Sequence, residues 1–367
     1  MDKLLPEICR IQYGYAFDSA KFSDSEGVPL IRIRDVVRGF SETYTTEECG
    51  KEYVVNDGDM LIGMDGEFNI ARWKGGKAYL NQRVCRLIPS DAVDALYLYY
   101  FMPKALKAIE DKTPFVTVKH LSAKELNKVV VPMPSLNEQK RIASSLQKVD
   151  ELIALRKEQL AKLDQLVKSR FFELFDNCKN RVLIGDVISI SRGASPRPIS
   201  AFITDSEDGV NWIKIGDVSE NSLHITKTEE KITPEGAKKS RMVHKGDFIL
   251  SNSMSFGRPY ILGINGCVHD GWLIMFDFQK TFNELYLYYA IRSDDVQYQF
   301  SGKVNGATVK NLNSELVKNT YIKVPPMELQ NQFATFVEQT DKSKMAIQQS
   351  LDKMELLKKS LMQEYFG

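Results

Sequence analysis

Hydrophobic positions follow two different periods along this chain, and the two kinds of segment alternate. In 1–134 and 180–325, short Val- and Ile-rich runs are broken by Gly, Asp, Asn and Pro, which predicts strands and turns. About 135–176 and 327–366 contain neither Pro nor Gly, and their apolar residues recur at helical spacing. The pattern therefore predicts a globule, a long helix, a second globule and a second long helix.

Each globular segment also contains one stretch with helical spacing. These stretches are DALYLYYFMPKALKAIED (94–111) and NELYLYYAIRSDDVQYQF (283–300). The spacing of the tyrosines in the shared letters LYLYY predicts that they belong to the core.

Within each long segment, apolar residues are separated by four and three residues in turn, which is the spacing of a coiled-coil seam. The first seam consists of Ile142, Leu146, Val149, Ile153, Arg156, Leu160, Leu163, Val167, Arg170 and Leu174. The same frame in the second segment gives Phe333, Val337, Thr340, Lys344, Ile347, Leu351, Met354, Lys358, Leu361 and Tyr365. The Arg and Lys residues in these seams must extend their charged ends outward. A helix of ~40 residues is ~60 Å long, so we expect the two helices to pair; packing of each on its own globule is the alternative.

The starts of the two helices differ in sequence. Ser135 followed by Glu138 is a capping-box signature, in which each side chain satisfies a free backbone N–H. The second helix carries Met327 and Glu328 at this place and lacks the Ser or Thr.

The chain repeats itself with a period of about 190 residues. The matching pairs are LPEICRIQYG (5–14) with IGDVISISRG (184–193), GVPLIRIRDV (27–36) with GVNWIKIGDV (209–218), Gly58-Asp59 with Gly246-Asp247, LYLYY (96–100) with LYLYY (285–289), and TVKHL (117–121) with TVKNL (308–312). Agreement in this order at a nearly constant offset indicates an internal duplication of nearly the whole chain.

Composition narrows the class of protein. At 367 residues, with 43% hydrophobic and 26% charged residues, the chain is expected to form two core-containing domains. No apolar run approaches the roughly 20 residues of a membrane span, and the start, MDKLLPEICR, lacks a signal-peptide core. The five cysteines are scattered, without a CxxC pair, which predicts reduced thiols and a cytoplasmic protein.

Three local motifs resemble one family. They are the junction VPMPSLNEQKRIA (131–143) with its counterpart VPPMELQNQFATF (324–336), the strand and loop GDFILSNSMSFGRP (246–259) with GDMLIGMDGEFNIA (58–71), and the repeated TVK-x-L segment. Together with the order of globules and helices, they resemble the specificity subunit of Type I restriction-modification enzymes. The resemblance covers nearly the whole chain, and the junction, which occurs twice, is its most specific part.

The resemblance implies an α+β protein with two target-recognition domains of mixed α/β type, 1–134 and 178–325. These would be separated by conserved helices, 135–177 and 326–367, that form an antiparallel coiled coil. Each domain would read one half of a split target in double-stranded DNA, with the helices acting as a ruler. The helices would also dock two modification subunits, which carry the adenine methyltransferase, and through them the restriction subunits. Because the chain begins almost directly with the first globule, little N-terminal extension of the helical platform is expected.

Motifs for catalysis are missing from the sequence. There is no GxxxxGK[ST] phosphate loop, and the pair Pro325-Pro326 lacks the flanking residues with which amino-methyltransferases grip adenine. Glu229-Glu230-Lys231 is a poor match to a magnesium-dependent nuclease centre, and the four histidines share no metal-ligand spacing. We therefore expect a non-catalytic binding protein without a cofactor or metal.

Two alternatives stay open. One is a self-contained DNA methyltransferase or nuclease with duplicated recognition domains, against which the missing motifs count. The other is a coiled-coil adaptor without a DNA role, which the net charge of +1 favours. Proteins that hold DNA alone usually carry a basic excess, so near-neutrality suggests that partner subunits contribute to DNA binding.

Candidate DNA-binding residues are polar side chains that could reach bases or phosphates. In the first globule they are Arg32, Arg34, Arg38, Asp65, Glu67, Asn69, Arg72, Lys74, Asn81, Gln82, Arg83 and Lys119. By position in the repeat, the second globule offers Lys214, Ser251, Asn252, Ser253, Ser255, Arg258, His269, Asp270 and Lys310. Arg32 and Arg34 alternate with isoleucines on an apparent strand, so they could instead form its solvated face.

Overall fold

The chain folds into two compact units. The computed structural model describes residues 2–113, 119–218, 222–252, 257–301 and 311–367. Unit 1 comprises Met1–Glu158 and Gln348–Gly367, and unit 2 comprises Gln159–Ile347. Each unit therefore contains one globular segment and a part of both long helical segments. Over these described ranges, no helix is long and apolar enough to cross a membrane.

The globular part of unit 1 alternates short strands with a few helices. In chain order these are β1 (Asp2–Leu4), α1 (Leu5–Ile8), β2 (Cys9–Tyr13), β3 (Phe22–Ser23), β4 (Val28–Ile31), α2 (Ile33–Arg38), β5 (Tyr44–Thr45), β6 (Val54–Val55), β7 (Met60–Gly63), β8 (Asn69–Arg72), β9 (Ala78–Leu80), β10 (Val84–Pro89), α3 (Ala95–Lys112), α4 (Ala123–Leu126) and β11 (Val130–Pro132). The first long helix, α5 (Leu136–Phe175), follows.

Unit 2 repeats this succession. Its elements are β12 (Arg181–Leu183), α6 (Ile184–Val187), β13 (Ser189–Arg192), β14 (Ile203–Thr204), β15 (Val210–Ile213), β16 (His224–Ile225), β17 (Glu230–Ile232), α7 (Pro234–Lys238), β18 (Arg241–Val243), β19 (Phe248–Ser251), β20 (Pro259–Leu262), β21 (Gly266–Val268), β22 (Trp272–Phe276), α8 (Glu284–Ile291), α9 (Asp294–Phe300), α10 (Ser314–Lys318) and β23 (Tyr321–Lys323). The second long helix is α11 (Met327–Phe366).

The sheets of the two units correspond strand for strand. In unit 1 the strand orders are β1-β11, β2-β10-β7-β8 and β3-β5-β4-β9-β6; in unit 2 they are β12-β23, β13-β22-β19-β20-β16 and β14-β17-β15-β21-β18. Only β16 has no counterpart among the described strands of unit 1. The neighbours β4 and β9 are parallel, as are β15 and β21. This shared topology confirms the predicted duplication and the mixed α/β class.

The strand after each Gly-Asp pair lies in the middle of the core. All four residues of β7 are buried, and so are all four of β19. The aspartate closes the turn before the strand: Asp59 accepts the backbone N–H of Asn56 at 2.9 Å, and Asp247 accepts that of His244 at 2.8 Å. Each of these strands lies between two others in its sheet and is covered on both faces, which accounts for its continuous apolar run.

The coiled-coil seam is confirmed, because every predicted seam residue on α5 and α11 is buried or half-buried. In unit 1, Lys358 pairs with Asp150 at 2.6 Å. In unit 2, Lys344 pairs with Asp164 at 2.5 Å, and the rings of Phe171 and Phe333 are 5.4 Å apart. Within each unit the paired stretches run antiparallel, and the seam lysines end in ion pairs with the opposite helix.

A buried glutamine fastens the start of each long helix to its own globule. Gln139 accepts the backbone N–H of Asp94 at 2.9 Å and donates to the carbonyl of Pro134 at 2.9 Å. Gln330 accepts from Asn283 at 2.8 Å and donates to Pro325 at 2.9 Å. These glutamines are 1% and 0% exposed. The repeated junction motif therefore has a structural role, which is to attach each long helix to its globule.

The structure corrects two local predictions. Arg32 and Arg34 do not lie on a strand: β4 ends at Ile31, Arg32 precedes α2, and Arg34 lies within it. The turn is favoured because the Asp35 carboxylate accepts the N–H of Arg32 at 2.9 Å.

The predicted single helix 283–300 is also wrong, because α8 and α9 are separate. Ser293 adopts an extended conformation between them and begins α9, where acidic residues follow in the first turn. In contrast, α3 is continuous as predicted, and Tyr97, Tyr100, Tyr286 and Tyr288 are buried.

The capping box of α5 is formed only in part. The Ser135 hydroxyl accepts the N–H of Glu138 at 3.3 Å, while the Glu138 carboxylate pairs with Arg141 at 2.6 Å.

Candidate nucleic-acid interface

Four loop segments of unit 1 meet at one end of its sheets. Because β4 and β9 are parallel neighbours, Arg32 and Asn81 follow their strands side by side. The Met64 N–H donates to the Arg83 carbonyl at 3.0 Å, and Leu121 N–H donates to the Met64 carbonyl at 2.7 Å. We call Arg32, 64–67, 81–83 and 119–121 loop cluster 1.

Unit 2 builds the same junction from corresponding residues. The Asn252 N–H donates to the Gly271 carbonyl at 3.0 Å, and Leu312 N–H donates to the Asn252 carbonyl at 2.9 Å. Lys214 follows β15 as Arg32 follows β4, and it lies beside His269. We call 192–197, Lys214, Asn252, 269–271 and 311–312 loop cluster 2.

A glycine makes the close backbone approach in each cluster possible. A Cβ atom at Gly14 would lie 2.0 Å from the carbonyl oxygen of Asn81, and one at Gly193 would lie 2.1 Å from that of His269. Any side chain there would displace the turn that carries the candidate residues.

The side chains of loop cluster 1 are charged and linked. Asp65 binds His120, with Oδ1 and Nδ1 2.5 Å apart, and its Oδ2 lies 3.5 Å from Nε of Arg83. The side chains of Arg83 and His120 are 54% and 48% exposed, whereas that of Asp65 is 20% exposed. Gln82 is also exposed. The cluster therefore presents a guanidinium, an imidazole and an amide to solvent.

Loop cluster 2 is organised around Asp270. Its carboxylate accepts the Ser195 hydroxyl at 2.7 Å and the Arg197 guanidinium at 3.3 Å, and both contacts, the hydroxyl first, lower the pKa of Asp270. The Asp270 carbonyl accepts from Arg192 and Asn252, each at 3.0 Å. A polar cavity of about 470 Å³ opens beside these groups.

Several predicted residues serve the fold rather than the solvent-facing surface. Ser251 is 0% exposed, and its hydroxyl accepts the N–H of Arg258 at 3.0 Å. Burial lowers the pKa of His269, whose Nδ1 accepts the N–H of Gly271 at 2.7 Å. Asn81 and Asn252 are 7% and 6% exposed. These buried groups position the turns that carry their exposed neighbours.

Other candidate cations are bound to groups of their own unit. Lys119 donates to the Glu110 carbonyl at the end of α3 at 2.8 Å. Lys214 pairs with Glu230 at 2.6 Å, which raises the pKa of Lys214. Arg38 pairs with Glu42 at 3.4 Å, and Arg34 donates to Thr43 at 3.2 Å.

The candidate residues along the hairpin β7–β8 lie at its two opposite ends. Asn69 pairs with Gly63 next to loop cluster 1, with exposed Glu67 in the connecting loop, whereas Arg72 pairs with Met60 at the opposite end. Lys74 follows Arg72 at that opposite end, where Gly39 is its neighbour. Arg72 and Lys74 are therefore not part of the cluster. Ser253, Ser255 and Lys310 lie outside the described residues.

Sequence reasoning missed members of both clusters. His120 was passed over, although it belongs to the repeated TVK-x-L segment and has Asn311 as its counterpart. Arg192 ends β13, and Ser195 and Arg197 follow it, in a polar run that aligns with the aromatic run from Tyr13 to Phe17 at the end of β2. In both cases the sequence signal was a repeated segment whose two copies carry different side chains at matching positions.

Within the part of the chain that the structure describes, no three His, Cys, Asp or Glu side chains are grouped closely enough to hold a metal ion. All five cysteines are free thiols, as their scatter predicted.

Comparisons with known proteins agree on one family. The family described as Type I restriction modification DNA specificity domain matches residues 2–165 and 179–356. The Type I restriction enzyme EcoBI specificity subunit of Escherichia coli is 28% identical over 378 residues, covering 91% of this chain and 78% of that protein.

Two solved structures share the fold over 100% of this chain, each with a TM-score of 0.60. One is the S subunit of a Type I restriction-modification system from M. genitalium, which is 13% identical to this chain; the match covers 96% of that protein. The other comes from work on complex assembly and conformational transition of the type I R-M system; it is 17% identical and covered to 97%.

Proposed function

The chain belongs to the family of Type I restriction-modification DNA specificity subunits, and we propose that loop cluster 1 and loop cluster 2 are the surfaces with which it reads its target. The protein is a non-catalytic DNA-recognition subunit, which works with methyltransferase and restriction partners. Each cluster reads one half-site of a bipartite sequence in double-stranded DNA.

One observation carries this assignment: the two clusters share main-chain hydrogen bonds residue for residue but differ in their exposed side chains. Met64, Arg83 and Leu121 are bonded as Asn252, Gly271 and Leu312 are. Loops on a fixed framework can change their side chains without loss of the fold. Two different half-sites require such a framework with two different sets of reading groups.

The finer organisation follows the same proposal. Segments 1–134 and 178–325 act as the target-recognition domains, and 135–177 and 326–367 act as the spacer. The exposed sides of α5 and α11 bind two modification subunits, through which the restriction subunits join. The free thiols and a DNA target support a cytoplasmic location.

The test is to change one cluster at a time and map the methylated sequence. The purified chain is combined with its modification subunits and incubated with a library of randomised DNA. The double variant Gln82→Ala, Arg83→Ala should alter one half of the methylated motif, and Arg192→Ala, Arg197→Ala should alter the other. A lost base contact costs about 1–3 kcal/mol at its position.

The matched controls are Arg10→Ala and Lys280→Ala, which replace exposed cations outside the clusters. Neither should change the motif. If one cluster affected both halves, or neither cluster affected any, the assignment would be wrong. The partner-free chain should transfer no methyl group; if it did, the self-contained methyltransferase would replace this function. If the assembled complex showed no salt-dependent, sequence-specific DNA binding, the adaptor would be favoured.

A further inference from the structure

A single carboxylate in loop cluster 1 holds two exposed side chains. Asp65 Oδ1 is 2.5 Å from Nδ1 of His120, and Asp65 Oδ2 is 3.5 Å from Nε of Arg83. The side chain of Asp65 is 20% exposed, while those of its two partners are about half exposed. The carboxylate therefore lies beneath the surface that Arg83 and His120 form.

The main chain fixes these residues relative to one another. Asp65 and His120 form an antiparallel bridge, and Gly66 N–H donates to the Lys119 carbonyl at 2.9 Å. The carbonyl of Arg83 accepts from Met64, the residue before Asp65, at 3.0 Å. Their side chains are thus presented from one rigid backbone junction, which lowers the entropy lost when they bind a partner.

We propose that Asp65 is a positioning residue that orients Arg83 toward a guanine of the first half-site, the half read by unit 1. This inference rests on the function proposed above. Nε of Arg83 is directed at Asp65, and Nη1 lies 3.5 Å from Nδ1 of His120, so Nη2 and the second N–H of Nη1 are left to face the DNA. Their forked N–H groups match O6 and N7 of guanine in the major groove.

Loop cluster 2 cannot read a guanine in the same way. At the position of Arg83 it has Gly271, and at the position of His120 it has Asn311, as the shared hydrogen bonds define these positions. These positions of unit 2 therefore carry no paired Arg and His; loop cluster 2 instead holds Arg197 against Asp270 at 3.3 Å from another segment, so the two clusters present their arginines differently.

The experiment compares four variants of the full chain, each assembled with its modification subunits, on a library with randomised half-sites. Arg83→Ala should relax one G·C position of the first half by about tenfold or more and leave the second half intact. Arg83→Lys should relax the same position, because an ammonium keeps the charge but not the fork. Asp65→Asn should relax that position more weakly, and His120→Asn should relax it less than Arg83→Ala.

Thermal unfolding of each variant shows whether the fold is kept, and Arg10→Ala is the control that should leave every position unchanged. Full guanine selection in Arg83→Lys would overturn the inference in favour of a phosphate contact. Unchanged selection in Arg83→Ala, or unchanged selection in Asp65→Asn, would overturn it as well. If wild-type complexes methylated no defined sequence, the proposed function itself would fail instead.

Discussion

The turn at 81–84 and the turn at 269–272 have the same backbone and different surfaces. In each, the fourth residue's N–H donates to the first residue's carbonyl, at 2.9 Å for Val84 and 3.2 Å for Trp272. The residues between them are the exposed Gln82 and Arg83 in unit 1, but the half-buried Asp270 and Gly271 in unit 2. Because the main-chain N–H and C=O groups of each turn bond to one another, the turn does not depend on particular side chains, and these can differ between the units.

On the strand that follows each turn, the two units differ in their interior: β10 carries a largely buried arginine, whereas the corresponding position of β22 is apolar. Arg86 on β10 donates to Asp59 and Gln12, each at 2.9 Å, and to the carbonyls of Val54 and Glu52, each at 2.8 Å. The corresponding residue on β22 is Ile274, which is 3% exposed. The same sheet can therefore be stabilised by a buried guanidinium or by an apolar side chain.

The largest predicted effect tests this difference. Arg86→Ala should lower the free energy of unfolding of unit 1 by about 3–5 kcal/mol, because the partly buried Asp59 carboxylate loses its partner. Hydrogen exchange followed by mass spectrometry should show lost protection in β2, β7 and β10, with unit 2 unchanged. Ile274→Val, the control at the corresponding site, should cost only about 0.5–1.5 kcal/mol. Equal losses from the two variants would show that Arg86 is not a special support of unit 1.

A smaller and symmetric effect is predicted for the fastening glutamines. Gln139→Ala and Gln330→Ala should each cost about 1–3 kcal/mol, because each leaves a buried backbone N–H and carbonyl without a partner. Amide exchange at Asp94 should accelerate in the first variant and that at Asn283 in the second. An effect in only one variant would mean that the junction motif has different roles in the two units.

The sequence predicted most of what is repeated and little of what is unique. Duplicated letters and the four-three spacing identified both globules and the seams of α5 and α11, because local periodicity determines helices. The break between α8 and α9 was missed because apolar spacing continues across it; the N-capping position of Ser293 was the overlooked signal.

Which residues belong to a loop cluster depends on contacts between residues that are distant in sequence. The periodicity of apolar residues does not predict such contacts. Asp65 and His120 are close only because the segment after α3 returns to the end of β7. Arg72 and Lys74 are excluded only because β8 runs antiparallel to β7 and carries them away. Ser251 aligns with polar neighbours in sequence, yet its strand is buried to its last residue.

The smallest predicted effect concerns Asp270, the centre of loop cluster 2. Its pKa is lowered by the Ser195 hydroxyl and by Arg197, so its ionised form is favoured in the folded chain. A lowered pKa stabilises the fold above the ordinary aspartate pKa of about 3.9, and this contribution is lost as the pH falls through the lowered value. The side chain is 43% exposed and that of Arg197 is 78% exposed, so screening limits the contribution to less than ~1 kcal/mol.

Asp270→Asn should therefore be slightly less stable than the wild type at pH 6, and the difference should start to shrink as the pH falls below about 4 and vanish below the lowered pKa of Asp270. Urea unfolding of both proteins from pH 3 to pH 7 measures this difference directly. Asp65→Asn, at the central carboxylate of loop cluster 1, is the comparison in unit 1, because this carboxylate holds a histidine and an arginine and no serine hydroxyl. A stability difference for Asp270→Asn that stayed constant down to pH 3 would show that the bond to Ser195 does not depend on ionised Asp270. The Asp270 side chain would then support its loop by shape rather than by charge.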